Sequence, residues 1–299
     1  MDVRHMRQIL AIHRHGSFIK AAEELGVAQP TLSKSIARLE DELRVMLFDR
    51  SGKRTRVTPM GALVVERATE LIANANRLER DVGLMADGAF GEARIGLGPG
   101  LRPVFAPRFA EAIATRFPKL RLTMMIEHRQ HLMEGLRTGE FDIVILVAAD
   151  ELDRLDVVQV EVMRDPFIAV ARPDHPLAGR SKIAADEFLR HPVASAGTAF
   201  SLAELMGLDD APSMPPAHFV SNDYGMIKAL IRAGLVSCVG SEHVFHDEIA
   251  AGEIVRLDID WVHEIRLVAV MTRAANHSPI LQAIVAEAVR LGEVTASLR

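Results

Sequence analysis

Cysteine, tryptophan and tyrosine each occur once in 299 residues. A single cysteine excludes an internal disulfide framework and a cysteine-rich metal site. Cys238, inside an apolar run, reads as core and not as a nucleophile or redox sensor. Trp261 and Tyr224 are too few to build a stacking platform for single-stranded nucleic acid. No apolar run is long enough to span a membrane and no charged-then-apolar leader opens the chain. A cytoplasmic protein with no membrane partner is therefore expected. Catalytic signatures are also missing. Gly96-Leu97-Gly98-Pro99-Gly100 follows a strand-like run, but a dinucleotide loop needs glycine at Leu101. Phosphate-loop, nucleophile-elbow and zinc-protease motifs do not occur, so no catalytic residue and no cofactor is expected. The pairs His128/His131 and His243/His246 have metal-compatible spacing, yet neither has a clear third ligand nearby, and no metal site is expected.

Charge is distributed unevenly. Residues 1–60 hold 11 Lys+Arg against 7 Asp+Glu, leaving 24 against 33 for the rest of a chain whose net charge is −5. A locally basic N-terminal module on an acidic body suits a sequence-specific nucleic-acid binder better than a general one. The hydrophobic fraction, 49% over this length, suffices for a small N-terminal module and at least one further domain with its own core.

Within the basic module, Ser17, itself a candidate for contact with DNA, can cap a helix through Ala21, Ala22 and Leu25, and Gly26 stands where a left-handed terminating residue belongs. A second helix begins near Gln29-Pro30. Its apolar residues Leu32, Ile36, Leu39 and Leu43 form one stripe, so Gln29, Pro30, Thr31, Ser33, Lys34 and Arg38 face outward. Met6, Ile9, Leu10 and His13 give an upstream helix a similar stripe. By spacing alone this is a DNA-reading pair or an ordinary helical hairpin with a solvated face. Residues 44–58 favour DNA: Ser51-Gly52 separates two short apolar runs, with Arg50, Lys53, Arg54 and Arg56 at the tip of a hairpin wing suited to phosphates.

The ordered set Gly16-Ser17-Phe18, Lys20-Ala21-Ala22-Glu23-Glu24-Leu25, Gln29-Pro30-Thr31-Leu32-Ser33-Lys34-Ser35-Ile36, Leu39-Glu40, Leu47-Phe48-Asp49-Arg50 and Val57-Thr58-Pro59-Met60-Gly61 resembles the winged helix-turn-helix of LysR-type transcriptional regulators. Two positions depart from the family pattern. Ala28 replaces the usual Ser or Thr cap of the recognition helix, and Arg44 replaces the glycine that usually ends it.

Beyond Thr58-Pro59, the residues Val64, Ala68, Leu71, Ala75, Leu78, Val82 and Met85 recur at steps of four and three, a heptad seam. The seam can meet a partner subunit or the chain's own second domain; its place between two domains favours the partner. A two-fold dimer would set paired recognition helices on the half-sites of an imperfect palindrome in double-stranded DNA. The resemblance implies the same, as a homodimer or a dimer of dimers (a homotetramer), with RNA polymerase as a further expected partner.

From Glu92 the pattern alternates strand and helix: strands at 93–97, 121–127 and 141–147, helices at 104–116 and 131–137. A second run has strands at 167–171, 192–195 and 235–239 and a helix at 223–233, followed by a strand at 265–271 and a final helix at 278–291. The expected fold is multidomain, α+β and α/β: a winged helix-turn-helix over 1–58, a linker helix over 59–88 and an effector domain over 89–299. The resemblance implies two α/β subdomains like those of periplasmic binding proteins, 89–163 with 268–299 and 164–267, hinged at 162–166 and 266–268.

A parallel sheet places its default ligand site at the C-terminal strand ends. Candidates on one side are Gly98, Pro99, Gly100, Leu101 and Arg102, a turn leading into a helix N-terminus, with His128 and Arg129 beside them. Across the hinge stand Ser195, Gly197, Thr198, Asn222 and Asp223. Two arginines and helix N-termini suit a small carboxylate; Arg102, Arg129 and Asn222 can also be ordinary surface or capping residues. The expectation is a DNA-binding transcription regulator under a small-molecule effector, most simply a carboxylate. Its rivals are an enzyme carrying a DNA-binding module and a regulator whose cleft is empty.

Overall fold

The computed structural model describes residues 1–50, 54–86, 91–196, 217–260 and 263–297. Two compact units emerge: Met1–Asp87 with Arg137–Glu140, and Gly88–Leu136 with Phe141–Arg299.

The first unit opens with helices α1 (Val3–His15), α2 (Phe18–Glu24) and α3 (Gln29–Leu43), then a hairpin of β1 (Phe48–Asp49) and β2 (Arg56–Val57), then the long helix α4 (Pro59–Ala86). Ser17 caps α2 by accepting from the Lys20 amide. Gly26 takes φ +64°, and the Val27 amide closes on the Ala22 carbonyl at 3.0 Å, the Schellman arrangement that turns the chain into α3. That helix starts at Ala28 without a side-chain cap. It ends at Arg44, whose φ of 55° is left-handed. Arg44 thus adopts the conformation a glycine would take freely, at about 1–2 kcal/mol for a residue with a Cβ.

Ile9, Ile12, Leu32, Ile36, Leu39, Leu47 and Phe48 fill this core, with Phe18 edge-on to Phe48 at 5.8 Å. A side-chain carbon at Gly61 would stand 2.0 Å from the Leu47 carbonyl oxygen. Only glycine lets α4 lie against the base of the wing.

In the second unit, β3 (Glu92–Leu97) lies between β4 (Arg121–Ile126) and β5 (Ile143–Val147), parallel to both, with helices α5 (Phe105–Arg116) and α6 (Arg129–Thr138) as crossovers. The long strand β6 (Val157–Ala171) leads into a second set: α7 (Ala185–Phe188), β7 (Val193–Ser195), β8 (Phe219–Val220), α8 (Tyr224–Arg232), β9 (Ser237–Ser241), α9 (Glu242–Ala250) and β10 (Val255–Leu257). Strand β11 (His263–Thr272) returns antiparallel to both β6 and β5, and α10 (Pro279–Ser297) closes the chain. The strand order is β4-β3-β5-β11-β6-β9-β7-β8, with β10 on β6. Between Leu267 and Val268 the β11/β6 register shifts, leaving Val162 out of the pairing. This bulge falls in the stretches read as hinges. A side-chain carbon at Gly292 of α10 would stand 2.0 Å from the Val162 carbonyl oxygen, so glycine seats the last helix at the bulge.

Strand β9 begins two residues later than the apolar run 235–239 suggests. Gly234 is left-handed and the Leu235 amide bonds the Leu230 carbonyl at 3.0 Å. Leu235 therefore belongs to the helix terminus, which explains why it is exposed.

Among the described residues, no helix is long and apolar enough to cross a membrane.

Candidate functional site

On α3, Gln29, Pro30, Thr31, Lys34 and Arg38 are exposed and Ser33 is half-buried, opposite the buried Leu32, Ile36 and Leu39. The Gln29 amide donates to Ser33 Oγ at 2.8 Å, ordering two of these groups for a groove. Ser35 Oγ donates to Gln8 Oε1 at 2.7 Å and fixes α3 on α1. Arg54 and Arg56 are exposed at the wing; Lys53 lies outside the described residues.

Two candidates have structural work. Ser17 is the cap of α2. Arg50 donates to Glu40 Oε2 at 2.9 Å and sits 4.6 Å over the Phe18 ring. Glu40, buried, accepts from the Leu47 and Phe48 amides at 2.8 and 3.1 Å through its other oxygen. The pair thus holds the root of the wing, a role that the spacing of basic residues did not reveal.

Along α4 the seam divides. Val64 packs against the first unit's own core and Ala68 is buried, whereas Leu71 and Leu78 are 48% and 62% exposed. Ala75 is half-buried, and the side chains of Val82 and Met85 lie outside those described.

The second unit contains a cavity of about 90 Å³ at the strand ends. Gly98, Pro99, Gly100, Leu101, His128 and Arg129 line it from one side and Ser195 from the other. Gly197 and Thr198 lie outside the described residues. Arg102, Asn222 and Asp223 are not brought to the lining: Arg102 faces Asp223 at 3.8 Å, Asp223 caps α8 through the Gly225 amide at 2.7 Å, and Asn222 is exposed. Arg129 reaches the lining with its charge engaged, its Nε on Glu151 at 2.5 Å and its Nη1 on the Val147 carbonyl at 2.7 Å.

Tyr224, Ser241 and His243 complete the polar lining and were not singled out as ligand candidates. Asp165, fully buried on β6 beside the bulge, holds two of them. It accepts from Ser241 Oγ, and its Oδ2 stands 2.7 Å from His243 Nδ1. His243 Nε2 meets the Gly100 carbonyl at 3.1 Å. A carbonyl only accepts, so Nε2 carries hydrogen while Nδ1 faces the carboxylate, the pattern of an imidazolium on its counter-ion. His243 thereby ties the start of α9 to the first-strand turn. One signal was available: Ser241 ends a strand that runs parallel to β7, so its C-terminal end opens on the same crevice.

Cys238 is fully buried, and burial pushes its thiol up to about 12. Little nucleophilic thiolate is present at neutral pH.

Two family models match the sequence. "Bacterial regulatory helix-turn-helix protein, lysR family" covers residues 3–62, and "LysR substrate binding domain" covers residues 86–292. An SDS degradation transcriptional activation protein from a Pseudomonas strain is 30% identical over 86% of this chain and 85% of its own length. The dual regulator OxyR of Escherichia coli is 31% identical over 60% of this chain and 58% of its own. Among solved structures, ArgP from Mycobacterium tuberculosis has a TM-score of 0.71 at 21% identity, covering 98% of this chain and 97% of that one. That likeness describes the fold.

Proposed function

The chain belongs to the LysR family of transcriptional regulators, DNA-binding proteins modulated through an effector domain, and we propose how its residues divide that work. Gln29, Thr31, Ser33, Lys34 and Arg38 read base edges, while Arg54, Arg56 and Lys53 hold phosphates. The observation that carries this is the polar face of α3, exposed directly opposite a packed apolar stripe. Arg50 contributes by holding the wing in place. Changing Ser33 or Lys34 to Ala should relax base preference, costing roughly 1–3 kcal/mol of discrimination at the affected positions. Changing Arg54 to Ala should weaken all duplexes alike and reduce the salt slope by about one unit. A salt titration on operator and random duplexes measures both; unchanged binding in both variants would remove the assignment.

The exposed Leu71 and Leu78, seven residues apart, support a homodimer seam on the outer part of α4. Val64 and Ala68, packed within the first unit, leave that part to the partner. Leu71→Asp should roughly halve the mass seen by light scattering, or lower it from tetramer to dimer. An unchanged mass would assign the seam to an internal contact. Bound as a dimer at a palindromic operator, the protein would meet RNA polymerase at the adjoining promoter.

The cavity is proposed as the effector site. A ligand there touches both the first-strand turn and the β7/β9 ends, so its binding biases their relative position. A peroxide response, named for the OxyR relatives, is not carried over: the single thiol is buried and held protonated.

A further inference from the structure

We infer that the cavity takes a small uncharged molecule, with an apolar body and an oxygen acceptor that the Tyr224 hydroxyl grips. The inference rests on the cavity being the effector site and names the chemistry of what enters it.

Tyr224 is only 5% exposed and lines the cavity. Its ring packs edge-on against Phe245 at 5.9 Å, which fixes the direction of the hydroxyl. Among the described residues, no group hydrogen-bonds that hydroxyl. Glycines flank it: a side-chain carbon at Gly100 would stand 4.0 Å from the oxygen and one at Gly240 3.4 Å. A bound acceptor would give this donor a hydrogen bond inside the cavity. Burial pushes the phenol's ionisation upward, so the group enters this contact as an O–H donor. Ser195, 9% exposed and also without a side-chain hydrogen bond among the described residues, adds a second hydroxyl.

Charge decides against an acid. The lining cations are already faced by carboxylates, Arg129 by Glu151 and His243 by Asp165. Arg102 faces Asp223 and does not reach the lining. Among the described lining residues, an entering carboxylate would find His128 and an Arg129 guanidinium whose charge Glu151 already faces. Desolvating an anion without a full counter-charge is far costlier than desolvating a carbonyl or hydroxyl. The remaining wall is apolar: Leu132, Leu146, Phe167, Val239, Ile265 and Leu267. At about 90 Å³ the space admits only a small molecule.

The test uses the full-length protein and three probes that share one skeleton: isovaleramide, isoamyl alcohol and isovalerate. Binding is read by ligand-detected NMR and by thermal shift, in wild type and Tyr224→Phe. The amide and the alcohol should bind wild type at least tenfold more tightly than the acid, and Tyr224→Phe should weaken both by about tenfold. Should Tyr224→Phe fail to fold, Ser195→Ala is read the same way, with a smaller loss. Tightest binding by isovalerate, equal binding by the variant, or no binding by any probe would each overturn the inference. Operator affinity is measured alongside. Tyr224-dependent binding of the neutral probes with no change in DNA affinity would uphold the ligand class and remove the effector reading.

Discussion

His243→Leu should lower the stability of the second unit by about 3–5 kcal/mol, because it leaves the Asp165 carboxylate buried without its counter-ion. At this size the thermal midpoint should fall by roughly 10 °C. The loss comes mainly from the uncompensated charge, not from the pair's net worth. A buried ion pair is often no better than well-packed apolar residues. The double variant Asp165→Leu/His243→Leu should therefore recover a large part of the loss. A single variant as stable as wild type, or a double variant worse than the two singles combined, would refute the ion-pair reading. The Gly100 contact adds a second consequence. Without the ring, the turn at Pro99–Leu101 loses its tie to α9, and amide hydrogen exchange across that turn should speed up in the variant.

Glu40→Ala should have the second large effect, in the first unit. It strips the acceptor from the Leu47 and Phe48 amides and releases Arg50 from its ion pair. An unpaired buried amide costs about 1–3 kcal/mol, so a loss near 3 kcal/mol is expected, with a fall of at least roughly 10 °C in the midpoint of this unit. Duplex affinity should drop with it, since the wing no longer has a fixed root. Glu40→Gln keeps an acceptor for both amides but puts an NH2, which cannot accept, where Arg50 donates, so it removes the charge and that hydrogen bond and should lose about 1–2 kcal/mol. Calorimetry of both variants separates the two contributions. Equal losses from Ala and Gln would mean that the charge, not the amide contacts, holds the wing.

Much of the first unit was legible because its signals are local. The stripe Leu32, Ile36, Leu39, the cap at Ser17 and the turn at Gly26 each concern residues a few positions apart. Of the two departures, Ala28 leaves α3 without a side-chain cap, as its residue type implies, whereas only the structure showed that Arg44 still ends the helix, in the left-handed conformation of the glycine it replaces. The strand and helix order of the second unit was readable for the same reason, with Leu235 misplaced because an apolar residue at a helix terminus looks like the start of a strand.

The cavity was legible only in part. Its first-strand turn and the His128-Arg129 edge follow from where strands end in a parallel sheet. The pairing of its arginine did not, since Glu151 lies 22 residues beyond Arg129 in sequence yet meets its guanidinium. Asp165 and His243 are 78 residues apart and meet only because β6 and β9 pair side by side. The place of Tyr224 was not legible, as nothing local in a sequence says where a phenol's oxygen points.

From sequence alone came the family, the order of elements and the polar face of α3 exposed opposite its apolar stripe, because helix periodicity and capping are set by neighbours along the chain. Tertiary structure alone decided which charges are already spent, which hydroxyls face an interior space and why Gly61 must lack a side chain. Those depend on approach between distant segments, which periodicity does not encode.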